Sequence, residues 1–175
     1  YKTSLYINFL AIFNASFISL ITGFIWYHPK VFGTVWMRIT GVSEDKIKKS
    51  NTFLIFLFSI LLSILIGMFL QFVTIHQFGA LGMIGGDENL SKPSYNAFMK
   101  DYSMAFRSFG HGALHSFMTG LFFIFPIFAI NALFERKSWK YVFLNGGYWT
   151  ITITIMGGII CGWYAVEGFN FTTPK

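Results

Sequence analysis

The chain has 175 residues, of which 54% are hydrophobic and 21% aromatic, with a net charge of +6 and one cysteine. So apolar a chain of this size leaves no room for a soluble catalytic domain, and a single cysteine excludes an intrachain disulfide and any multi-cysteine zinc or iron–sulfur site. The thirteen Lys and Arg and the seven Asp and Glu all lie at the chain ends or in three connecting stretches, which leaves charge-free runs at 3–29, 50–86, 108–134 and 141–166.

Each run exceeds the roughly 20 apolar residues needed to cross a ~30 Å hydrocarbon layer. Backbone groups in lipid must pair internally, and the runs are too long and too unalternating for barrel strands. The expected fold is therefore an all-α integral membrane protein, a single domain over 1–175 with four transmembrane helices in a compact bundle. The spans are expected at about 5–27, 52–78, 110–134 and 141–164.

No basic segment, short apolar core and small-residue cleavage site precede the first run, so it reads as a retained span. After it comes an apolar stretch too short to cross, expected to lie along the inner membrane surface at about 30–40. This connection carries Lys30, Arg38, Lys46, Lys48 and Lys49, and the one between spans three and four carries Arg136, Lys137 and Lys140. Eight of the thirteen basic residues thus mark the cytoplasmic side, giving an N-out, C-out arrangement. Basic residues placed beside spans set orientation, so no nucleic-acid partner is expected. Trp26, Tyr27, Trp36, Trp139 and Tyr141 gather at the inner level, and Tyr6, Trp163 and Tyr164 at the outer one. The outer connection, about 79–107, opens on a Gly-rich, helix-breaking stretch up to Pro93 and returns to helix over 96–107.

Small residues recur at four-residue intervals, on one side of each helix. The ladders are Ala11, Ala15, Ser19 and Gly23; Ser59, Ser63 and Gly67; Gly112, Ser116 and Gly120; and Gly146, Thr150, Thr154, Gly158 and Gly162. Such faces permit close helix approach in lipid. Spans one and three also share a pattern, Ser19 to Gly23 against Ser116 to Gly120, with Pro29 and Pro126 six residues further on. Two related hairpins inserted in the same direction would be related by an axis along the membrane normal.

The run Trp26-Tyr27-His28-Pro29-Lys30-Val31-Phe32-Gly33-Thr34-Val35-Trp36-Met37 resembles the signature of a bacterial family of small four-span membrane proteins called domain of unknown function 1761. The carriers of the likeness are Trp26, Tyr27, Pro29, Phe32, Gly33 and Trp36, and it extends over essentially the whole chain. His28 departs from the small polar residue expected there. The resemblance implies a multi-pass protein of the bacterial inner (cytoplasmic) membrane, with no established reaction and no catalytic residues.

The topology brings His76, at the end of span two, to the level of His111 and His115, at the start of span three. His111 and His115 are four apart on one helical face, a spacing that presents two imidazoles to a metal. His76 or Glu167 would supply a third ligand, making a zinc-type site, or two of the histidines would hold a haem. Asn8, Gln71, Gln77, Cys161, Tyr164, Asp87 and Glu88 belong to the same level. The His111 to His115 run lacks the glutamate of a zinc-protease helix. Asn14, Asn131 and Asn145 are expected to hydrogen-bond between helices. No charged group lies mid-span, which argues against an ion-coupled carrier.

Two readings of function lead, with a third behind them. One is a non-enzymatic accessory or scaffold subunit, surrounded by lipid, that packs through its small-residue faces with copies of itself or a larger inner-membrane complex and holds no cofactor. The other is a small-solute or metal-ion transport or sensing protein with zinc or haem at the outer histidines. A lipid- or quinone-binding enzyme built around a kink at Pro126 is a third, which requires a cavity there.

Overall fold

The computed structural model describes residues 7–167, with side chains described as far as Trp163. Regular structure among these residues is helical, with no strand. Four segments are long and apolar enough to cross a membrane: Phe9–Trp26, Thr52–Thr74, Phe109–Phe134 and Trp139–Trp163. These are spans one to four. Three of them begin on a polar cap: the side chains of Asn8, Asn51 and Ser108 accept the backbone N–H of Ala11, Leu54 and His111. Each cap satisfies one of the amides that the first helical turn leaves unpaired.

Span four is the centre of the bundle. Half of it is buried, against 28% of span one, 17% of span two and 11% of span three, and it packs against all three. The core joins Ile12 and Ala15, Leu70 and Ile75, and Ile153, Met156, Ile160 and Cys161. Lipid-facing surfaces carry the phenylalanines, including Phe53, Phe58, Phe69, Phe72, Phe122 and Phe123.

The small residues of the ladders are spent inside the protomer. Ser63 donates to Ser19 at 2.8 Å, and a Cβ on Gly67 would lie 2.9 Å from Ile12. A Cβ on Gly120 would meet the Thr150 backbone at 2.8 Å, and one on Gly158 or Gly162 would run into Phe109. Ala15 is fully buried, while Gly23 faces the Tyr148 ring. The hydroxyls of Ser59 and Thr154 turn back onto their own helices at Ile55 and Thr150. The tightest crossing uses Gly157, which lies outside the four-residue ladder: Gly112 and Gly157 meet backbone to backbone, and Ser116 packs on Gly157. Gly23 and Gly120, equivalent in the repeat, both face span four rather than equivalent partners in two hairpins.

Of the three mid-span asparagines, only Asn145 bridges helices, accepting from the Tyr27 hydroxyl at 3.0 Å. Asn14 donates to Leu10 in its own helix, and Asn131 is exposed. Interhelical bonding falls instead to the pairs Thr22 and Thr152, Tyr148 and Ser19, and Asn8 and Gln71.

Both prolines of the repeat adjoin a π turn. In span three Phe125 donates to Gly120 across the turn Gly120–Ile124, which ends immediately before Pro126, a residue with no N–H to give. The turn Pro29–Gly33 is capped by His28, whose Nδ1 accepts from Lys30 at 3.1 Å. A Cβ on Gly33 would collide with the Tyr27 carbonyl. Trp26 donates to the Leu144 carbonyl, and its ring packs on Phe32; the Tyr27 ring meets Trp36 and Tyr148. These residues therefore fasten the helix Thr34–Thr40 to the basic end of span four.

The other end differs from expectation in two places. Span two stops at Thr74, and after a break at Ile75 and His76 the chain forms a separate helix, Gln77–Met83. Gly79 and Gly82 are tolerated within it, and the helix ends before Gly85 and Gly86, whose φ values of 77° and 79° favour glycine. The next helix runs Pro93–Tyr102 rather than over 96–107. Proline at its first position starts it early.

Candidate metal centre

The break after Thr74 aims His76 back across the mouth of the seam between spans two and three. Its Nε2 lies 2.9 Å from His111 Nε2. His115, one turn further along span three, completes the group, with ring centroids 4.9 Å from His76 and 4.4 Å from His111. Potential ligand atoms of all three lie within 4.8 Å of one another. His76 is exposed, and His111 and His115 are half-buried, so one side of the group is open.

Phe106 covers another side. Its ring stacks on His111 at 5.1 Å and meets His76 edge-on at 6.2 Å. Its φ of +61° is a left-handed conformation that costs a bulky residue energy. Two neighbours hold it there. Gln77 Nε2 donates to the carbonyls of Tyr102 and Ala105, at 2.7 and 2.9 Å, and Cys161 Sγ donates toward the Phe106 carbonyl at 3.5 Å. The sequence carries no signal for Phe106, because its position is set by a turn between two helices.

Other residues expected at this level support the site from beneath. Gln71 accepts from the Asn8 amide, and Cys161 also donates to the Thr74 carbonyl. Asp87 is engaged with Asn89 in its own turn, and neither Asp87 nor Glu88 joins the histidines. The side chains of Tyr164 and Glu167 lie outside the described residues.

Three imidazoles make a donor set for a first-row transition ion rather than for calcium or magnesium, which take oxygen. Around tetrahedral zinc, nitrogens about 2.0–2.1 Å from the ion sit roughly 3.3 Å apart. The 2.9 Å pair is a few tenths short of that and the widest spacing is 4.8 Å, so small rotations of the rings close the shell. Rings 4.4–4.9 Å apart leave no width for a porphyrin between any two of them, and the set fits a bare ion better than haem. All three donors are neutral when coordinating, and His111 sits in the first turn of span three, at the positive end of the helix dipole. A divalent ion held by these three residues would keep its charge, which would favour an anionic fourth ligand.

An all-helical chain with four apolar spans and a histidine group at one end of the bundle is a multi-pass membrane protein. The chain belongs to the family described as Protein of unknown function (DUF1761), whose model matches residues 10–161. No curated protein and no solved structure matches it.

Proposed function

We propose that this protein binds a divalent transition-metal ion, zinc by preference, through His76, His111 and His115, and serves in metal-ion sensing rather than catalysis. The observation that carries the reading is the convergence of three imidazoles from two chain segments within 4.8 Å. The one charged residue within the four spans is Lys140, in the first turn of span four, and the backbones of Gly112 and Gly157 meet near the histidine end of the bundle. Both features favour holding an ion at the surface over conducting it through one protomer. Eight basic residues on the connections at the other end support a cytoplasmic location for that end, and the family likeness supports the bacterial inner membrane. Titration of the purified protein with zinc tests the reading. Equal binding by wild type and a triple His→Ala variant counts against it.

The second reading is an accessory or scaffold subunit that packs with copies of itself or with a larger inner-membrane assembly. Its support is the small extramembrane mass together with lipid-facing residues as open as Phe53 and Phe122, at 72% and 70% exposure. Association would use these Phe-rich faces, since the small residues are engaged within the protomer. Isolation from native membranes as a strictly monomeric, partner-free particle would remove this reading.

A further inference from the structure

Below the histidines, the seam between spans two and three opens into an apolar groove of about 380 Å³. Its floor is Leu70 and Ile153, both buried, and its rims are Leu65, Phe69 and Phe123, all exposed toward lipid. The groove exists because span three changes register there: Phe123 and Ile124, which line it, belong to the π turn before Pro126. Such turns recur at functional sites. Thr119, at the end nearer the histidines, is one helical turn from His115 and donates its hydroxyl to the His115 carbonyl, so it adds no free donor to the groove.

One molecule matches both ends of this arrangement. The metal that the histidines would hold keeps uncompensated positive charge beside a helix N-terminus, which calls for an anion. One turn away begins an apolar groove of about 380 Å³, open along its rims and narrow between spans two and three, the shape of a seat for a single hydrocarbon chain. Resting on the metal-binding reading, we infer that the site takes a long-chain carboxylate: its head completes the coordination of the ion, and its single hydrocarbon chain lies in the groove between spans two and three. The head binds reversibly by a lone pair of a carboxylate oxygen, and no covalent bond is made or broken.

The test uses the full chain in detergent, with zinc content measured in the same samples, and a palmitate carrying a photoactivatable diazirine at mid-chain. With zinc present, labelling concentrates on the stretches 65–70 and 119–128, and chelation lowers it by about tenfold. Leu65→Trp, a change on the exposed rim, and Ile153→Trp, on the floor, each retain zinc and lose labelling. A fatty alcohol with the same diazirine labels without regard to zinc. The inference is overturned, with the metal reading intact, if zinc binds but palmitate labelling is zinc-independent or spread over the lipid-facing surface. It is equally overturned if an alkyl phosphate displaces palmitate while excess palmitate cannot displace the phosphate, or if the groove crosslinks to a second copy of the chain. Absence of zinc from the wild-type protein overturns both.

Discussion

The Nε2 atoms of His76 and His111 lie 2.9 Å apart although 35 residues separate them in the chain. That contact requires both the break that ends span two at Thr74 and the cap that starts span three at Ser108. Protons and metal compete for these nitrogens, so the affinity for zinc falls as the medium is acidified, by about tenfold per pH unit for each proton displaced. Zinc titrations across the mildly acidic to neutral range check this. An affinity independent of pH would mean that imidazole is not the ligand.

Phe106 adopts its left-handed conformation at a cost that glycine would not bear. Phe106→Gly is expected to be more stable than Phe106→Ala by about 1 kcal/mol, because both lose the ring and only alanine keeps the Cβ penalty. Thermal melts of the two variants in the same detergent measure the difference. Equal melting points would show that the backbone relaxes at this position.

Gln77 acts on the histidines through the turn that carries Phe106. Gln77→Leu leaves the Tyr102 and Ala105 carbonyls without their side-chain donor, and is expected to cost about 1–3 kcal/mol. With Phe106 no longer held over His111, zinc affinity should also fall, although no ligand has changed. Denaturant melts and zinc titration of the variant report the two effects separately. Wild-type values in both would show that the turn is fixed by other contacts.

Gly157 is the position at which spans three and four approach most closely. A Cβ there would overlap Ser116 and stand 3.0 Å from the Gly112 carbonyl. Gly157→Ala should therefore destabilise the bundle by about 1–3 kcal/mol or more, the usual cost of overpacking. Gly79→Ala, with open space around it, is the control and should be neutral or slightly stabilising. A Gly157→Ala variant as stable as this control would mean that the two helices separate freely.

The spans were legible because charge is expensive in hydrocarbon: Phe9–Trp26, Thr52–Thr74 and Phe109–Phe134 carry no charged residue, and Trp139–Trp163 carries only Lys140, in its first turn. The grouping of His76 with His111 and His115 followed from that topology alone. Less legible was anything decided by tertiary contact. Apolar composition continues past Thr74, so nothing local announces that the chain breaks at Ile75, where burial in the core fixes an extended residue. The glycines after it suggested a loop, yet Gln77–Met83 is helical and Gln77 is anchored by two carbonyls. A four-residue ladder is only an approximation to the 3.6-residue turn, which is why the rungs Gly112 and Ser116 of span three meet span four most closely at Gly157, off its own ladder. Phe106 owes its place to a backbone angle that no side-chain pattern encodes.

The most direct test is zinc K-edge absorption spectroscopy on the purified, zinc-titrated protein, alongside its triple variant His76→Ala, His111→Ala, His115→Ala. One zinc per chain is expected in the wild type, with three nitrogen ligands at about 2.0–2.1 Å and one further light atom, and no such shell in the variant. Wild-type protein that takes up no zinc, or a variant that takes up as much, would contradict the metal-binding reading.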